Sequence, residues 1–214
     1  MTRSYFVTGT DTNVGKTYVA SALIRHFVSQ GHKTIGMKPV ASGCEEVKGA
    51  YINEDVTALM QASNVSASSD LVNPYRFVPA IAPHIAAAQA GTSIEFPTIL
   101  DAHQQLSEMA DIVIVEGAGG LLVPLNQSQT LADLAAQINA PLILVVGMRL
   151  GCINHAMLTV AAIEARGLQL TGWIANEVDP DMSMFDANLQ TLKQWIKAPC
   201  LSVVRFQQTP QFHL

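Results

Sequence analysis

Two hydrophobic periods alternate along the chain. Tyr5-Phe6-Val7 is a short apolar run of strand type, and beyond a small, polar loop Val19, Leu23, Ile24, Phe27 and Val28 recur at helical spacing. The pattern predicts a strand, a loop, and a helix opening at Gly15-Lys16-Thr17. Thr34–Lys38 reads as a second strand ended by Pro39, which cannot continue a ladder. Val40–Asn53 reads as a loop, Asp55–Met60 as a short helix and Ser63–Asp70 as an exposed connection. Pro74, Pro79 and Pro83 mark an irregular stretch from Asn73. Helical patterns over roughly His84–Ala90 and Phe96–Met109 follow. Asp111–Glu116 is then an unbroken, β-branched run of the kind buried in a parallel sheet, expected to stop at Gly117-Ala118-Gly119-Gly120. Leu131–Ile138, Asn154–Ala165 and Met182–Ile196 read as helices, and Pro141–Val146, Leu170–Ala175 and Leu201–Val204 as strands.

Strands alternating with helices place the chain in the α/β class, as a single doubly wound parallel sheet with helices on both faces. With 214 residues, no internal repeat and no shift in composition, residues 1–214 are expected to form one domain. In such sheets ligands sit beyond the carboxyl ends of the strands, so the residues just after each strand carry the functional reading.

Composition narrows the class. Hydrophobic residues make up 49% and charged residues 14%, too apolar a balance for extensive disorder. Twelve basic against seventeen acidic residues, with no basic run, argue against a nucleic-acid partner. The apolar stretch near Pro141–Met148 is too short to span a bilayer, and the N-terminal residues run straight into the first strand without a signal-peptide pattern. Cys44, Cys152 and Cys200 are far apart and odd in number, which suggests neither disulfides nor a zinc site. A reduced, cytoplasmic protein is expected.

The most specific chemical signal is Gly9-Thr10-Asp11-Thr12-Asn13-Val14-Gly15-Lys16-Thr17, between strand and helix. A helix start offers unpaired N–H groups and positive dipole potential to an anion. Lys16 would reach the β- and γ-phosphates of a nucleoside triphosphate, and the Thr17 hydroxyl would ligate Mg²⁺. Five residues separate Gly9 from Gly15, one more than the usual phosphate loop, so Thr10 takes the first glycine position. Lys38 ends the second strand, either as a second cation of the same pocket or as a solvated lysine. Asp55 suits the Mg²⁺ shell, but Asn53 and Asp55 also both suit a helix N-cap. Glu116 ends the most apolar strand, as a metal-binding acid or as an acid facing water. Gly151-Cys152-Ile153-Asn154 opens a helix, an anion site or a plain turn. Asn176 ends a strand and either reads a base edge or serves a turn.

Together these segments resemble the dethiobiotin synthetase family of phosphate-loop NTPases. The likeness runs through Gly9–Thr17, Lys38-Pro39-Val40-Ala41-Ser42-Gly43, Asn53 with Asp55, and Ala82-Pro83-His84. It continues with Val115–Gly120, Leu150–Asn154 and Ala175-Asn176. The resemblance implies an ATP- and Mg²⁺-dependent cyclo-ligase of biotin biosynthesis. Its substrate, 7,8-diaminopelargonic acid, takes up CO2 as a carbamate; ATP phosphorylates the carbamate, and the second amine closes the ureido ring. By that resemblance Asn13, Val14, Gly15 and Lys16 cradle the nucleotide, and Thr17, Asp55 and Glu116 hold Mg²⁺. Thr12, Lys38 and Ser42 meet the carbamate, with Lys16, Lys38 and Thr12 the catalytic set, and Asn176 contacts adenine. The family implies a homodimer, in which Gly151, Cys152, Ile153 and Asn154 would take the substrate carboxylate from the other subunit. Asn13 stands where many relatives have glutamate, and Ser202 and Arg205 stand where relatives read Gly-x-x-Pro.

Rival readings are weaker. A partitioning-type ATPase switch carries a signature lysine at the position of Asp11. A cobyrinate-type amidating enzyme needs a glutaminase domain for which 214 residues leave no room. A low-activity paralogue of the synthetase is the remaining alternative.

Overall fold

The computed structural model describes residues 2–212. In chain order its elements are β1 (Arg3–Gly9), α1 (Lys16–Ser29), β2 (Thr34–Met37), β3 (Val40–Ser42), β4 (Glu45–Val47) and β5 (Ala50–Ile52). Next come α2 (Glu54–Ala62), α3 (Ser69–Val72), β6 (Tyr75–Phe77), α4 (Pro83–Gln89) and α5 (Phe96–Met109). The last are β7 (Ile112–Gly120), α6 (Leu131–Ile138), β8 (Leu142–Met148), α7 (Cys152–Ala165), β9 (Leu170–Glu177), α8 (Phe185–Trp195) and β10 (Cys200–Val204).

Six strands form a parallel sheet in the order β10-β9-β8-β1-β7-β2. Alternation along each strand feeds two faces. Phe6, Val113 and Val115 point into a core with Phe96, Ile99, Leu106 and Leu131. Val7, Ile114, Ile143 and Val145 point the other way, against Val19, Leu23 and Ile24 of α1 and Leu59 of α2. Leu144, Val146 and Trp173 pack under α7 and α8. Each central strand is therefore apolar on both sides, which explains why the pattern reads as continuous runs. Gly36 of β2 lets α1 and α2 close onto the sheet: a Cβ there would lie 2.8 Å from both Ile24 and Leu59. Among the described residues no helix is long and apolar enough to cross a membrane.

Three expectations are corrected. The segment Val40–Asn53 is not simply a loop: β3 extends from it, and β4 and β5 form an antiparallel hairpin turning at Lys48-Gly49, both with positive φ. Asn73–Pro83 is not wholly irregular, because β6 pairs in parallel with β3. Pro74 and Pro79 flank that strand and leave its ladder intact. The glycines after Glu116 do not end β7, which runs on to Gly120 through a register shift opposite Val7 and Gly9. Gly119, at φ 71°, absorbs the irregularity as few other residues would.

Candidate active site

Strand order brings the site together. β7 lies between β1 and β2, so Glu116, midway along β7, stands beside the loop after β1 and Lys38 after β2. They border a cavity of about 970 Å³. Thr12, Asn13, Gly15, Lys16 and Thr17 line it from the loop, and Ser42, Asp55 and Glu116 from the facing elements. Val40, Ile81, Pro83 and Val123 add an apolar part to its lining.

The loop between β1 and α1 is bent by two residues in the left-handed region, Asn13 at φ 58° and Gly15 at φ 87°. Asparagine tolerates this conformation better than most residues with a Cβ. Gly15 has no alternative: a Cβ would lie 2.2 Å from Asn176 Nδ2. That amide nitrogen donates to the Val14 carbonyl at 2.9 Å, so Asn176 ties the loop to the end of β9. Thr10 N–H donates to Val145 O at 3.0 Å, a second tie, to β8.

Beneath the loop lies a buried ionic cluster. Lys38 Nζ lies 2.5 Å from Glu116 Oε1 and 2.9 Å from Asp55 Oδ2. Lys38 and Glu116 are only 4% and 1% exposed, which rules out a solvated lysine and a strand-end acid facing water. Burial works against the Lys38 charge, but the Glu116 and Asp55 carboxylates outweigh it and hold the ammonium above its ordinary value. For Asp55 burial pulls upward, and the Lys38 charge and hydrogen bond hold its carboxyl below the usual range. The Thr17 hydroxyl stands 2.7 Å from Asp55 Oδ1 and 2.8 Å from Glu116 Oε1, with one proton to share between them. Burial, and then the neighbouring Lys38 charge, push Lys16 down to about 8. Its Nζ donates to the Asp11 carbonyl at 2.8 Å.

The capping question resolves by division of labour. Asn53 caps α2, its side chain accepting from Val56 N–H at 3.3 Å. Asp55, in the first turn, is left to face the cavity.

A divalent cation fits this donor set. Thr17 Oγ1 and two carboxylates supply oxygen alone, and Glu116 Oε2 is buried without a hydrogen-bond partner. Among the described residues no group of three or more His, Cys, Asp or Glu gathers as a metal site. Two carboxylates and a hydroxyl suit Mg²⁺, which takes its other ligands from phosphate and water.

Residues 151–154 lie elsewhere. They form the start of α7, beyond β8, and do not line the cavity. Cys152 is buried in the core under α7. Ser42 lines the cavity, its hydroxyl buried and unpartnered. Sequence reasoning missed Asn73, whose buried amide donates to the Lys38 carbonyl at 2.6 Å and so fixes the backbone that carries the lysine. It also missed Arg149, paired with Asp11 at 2.6 Å. No local pattern marks either residue; only the fold brings them to their partners.

Comparisons with known proteins follow the same lines. Residues 3–209 match a family model described as an AAA domain. The chain is 50% identical to the ATP-dependent dethiobiotin synthetase BioD of Nitrosospira multiformis, over 97% of this chain and 90% of that protein. It is 51% identical to the protein of the same name from Aromatoleum aromaticum, over 94% and 90%. The chain belongs to the dethiobiotin synthetase family. Solved structures of other families share only the fold of this synthetase relative. The signal recognition particle receptor FtsY of Elizabethkingia anophelis, in complex with GDP, superposes with a TM-score of 0.55 at 17% identity. The chain spans 61% of that receptor's length. The septum site-determining protein MinD of Pyrococcus horikoshii, complexed with Mg-ADP, gives 0.56 at 16%, over 96% of this chain and 82% of that one.

Proposed function

We propose that this chain performs the reaction of its family in the cytoplasm: ATP- and Mg²⁺-dependent closure of 7,8-diaminopelargonic acid and CO2 to dethiobiotin, with ADP and phosphate as products. The observation that carries the reading is the Lys38 ammonium, buried between Asp55 and Glu116 beside a glycine-bent helix start. The reaction must bring two anions together, a carbamate and a triphosphate. Fixed cations and N–H dipoles in a site shielded from water are the physical means of offsetting their repulsion.

In this reading Lys16 and the N–H groups of Asn13 to Thr17 hold the triphosphate. Thr17, Asp55 and Glu116 would hold Mg²⁺, which would supply positive charge to the phosphate oxygens. Lys38, with Thr12 and Ser42, steers the carbamate oxygen toward the γ-phosphorus. The apolar lining of Ile81, Pro83 and Val123 offers a surface to the methylene chain of the substrate. The carbamate oxygen bonds to the γ-phosphorus as the bond to ADP breaks, and the second amine then attacks the carbamoyl carbon and gives up its proton. A new C–N bond forms, the C–O bond to phosphate breaks, and phosphate leaves with that oxygen. No protein nucleophile is needed.

Residues 151–154, which do not line the cavity of their own chain, fit a homodimer in which they take the substrate carboxylate at the partner's site. In this reading Asn176, besides tying the loop, contacts adenine. Incubation with diaminopelargonate, bicarbonate, Mg²⁺ and ATP is expected to yield dethiobiotin by mass, one per ATP consumed. ATP loss without dethiobiotin rejects the proposal.

A further inference from the structure

The Asp11–Arg149 pair joins the phosphate loop to the segment after β8; neither residue lines the cavity. Arg149 follows β8, and its Nη2 donates to Asp11 Oδ2 at 2.6 Å. The other carboxylate oxygen accepts the Thr12 N–H at 2.8 Å, and the Asp11 main-chain carbonyl accepts from Lys16 Nζ at 2.8 Å. One residue thus engages an amide and an ammonium in the loop whose neighbours, Thr12 and Asn13, face the cavity. Its own charge has the wrong sign for a loop that receives a triphosphate. Arg149 is the cation that offsets it.

We infer that Asp11 is the resident anion of the loop, its carboxylate orienting the Thr12 N–H and its main-chain carbonyl holding Lys16 Nζ while the site is free of nucleotide. Arg149 is the positioning residue that neutralises Asp11, so that an incoming polyphosphate takes over those donors without repulsion. The inference rests on the nucleotide reading above and extends it, giving a side chain outside the cavity control over nucleotide affinity. Two features separate this role from simple support of the fold. The Asp11 and Arg149 side chains are 45% and 39% exposed, the range in which an ion pair adds little stability. The loop is also held independently, through Asn176 to Val14 and Thr10 to Val145.

The test is calorimetric titration of Mg-ATP into the wild-type protein, Arg149→Met, Arg149→Lys and the double variant Asp11→Asn/Arg149→Met, at low and high salt. Arg149→Met, leaving Asp11 uncompensated, is expected to bind about tenfold more weakly at low salt. That deficit should shrink to within about threefold in 0.5 M salt, where the Debye length falls below about 5 Å. Arg149→Lys, and the double variant that removes both charges, should bind within about threefold of wild type at low salt. Melting temperatures should stay within a few degrees of one another. Arg149→Met binding like wild type at low salt overturns the inference alone, as does a double variant as weak as Arg149→Met. A wild-type protein that binds no Mg-ATP overturns the nucleotide reading and the inference together.

Discussion

Two helices in this fold open in the same way and meet opposite surroundings. α1 follows Gly15 at φ 87° and α7 follows Gly151 at φ 93°, and neither has a side-chain cap. Each therefore presents unpaired first-turn N–H groups and positive dipole potential. At Gly15 a Cβ would collide with Asn176, and Lys16, Lys38, Asp55 and Glu116 crowd the space around the helix start. At Gly151 a Cβ would meet nothing within 4 Å, and Leu150 beside it is 95% exposed. A helix N-terminus is generic; the site arises where sheet order surrounds one with charge. The second start is completed, in the proposed homodimer, by what the partner brings.

The largest expected effect comes from removing the charge that distinguishes the first start. Lys38→Ala leaves Glu116 buried without its cation. Dethiobiotin formation should fall by about a thousandfold, and the denaturation midpoint should report a loss of about 3 kcal/mol. Turnover close to wild type would remove Lys38 from the chemistry. Next in size, Gly15→Ala forces a Cβ into the Asn176 amide at an unfavourable φ, and Mg-ATP affinity should drop by about a hundredfold in titration. Gly151→Ala has the same φ to satisfy but open space around it. It should cost about 1 kcal/mol of stability and leave Mg-ATP affinity unchanged, while raising KM for the diamine. Equal losses of nucleotide affinity in the two glycine variants would dissolve the contrast.

The smallest effect is a pH dependence. The folded protein disfavours protonated Lys16, so its penalty is fully present below pH 8 and is relieved between about 8 and 10.5. Stability of the nucleotide-free protein should therefore gain an upward slope in that window, which Lys16→Met removes. Lys38 acts oppositely and higher: its contribution is present below 10.5 and is lost as pH rises through its raised folded value. A bound triphosphate restores Lys16 to its charged form, so binding at pH 8 should take up about half a proton. Calorimetry in buffers of different ionisation enthalpy measures this, and zero uptake contradicts it.

What was legible in the sequence was local. The runs Ile112–Glu116 of β7 and Leu142–Met148 of β8 are readable because they are buried on both faces, and the phosphate loop because its residue types and its place between a strand and an amphipathic helix are local features. The surroundings of Lys38 and Glu116, left open by the residues alone, are set by long-range contacts. Lys38 and Glu116 stand 78 residues apart, and only the insertion of β7 between β1 and β2 makes them partners. The hairpin of β4 and β5 gives no period-two signal, because its strands have three residues each and are wholly exposed. Its Lys48-Gly49 turn lacks the Asn-Gly or Asp-Gly signature of such turns. β6 owes its extended form to pairing with β3 across more than thirty residues, which no local propensity records.

The central claim is that the buried Lys38 cluster brings a carbamate oxygen to the terminal phosphate. A single turnover with ¹⁸O-labelled CO2 in unlabelled water, quenched before the label exchanges, tests this most directly. One labelled oxygen in the released phosphate, absent with Lys38→Ala, is the predicted result; unlabelled phosphate formed alongside dethiobiotin would contradict it.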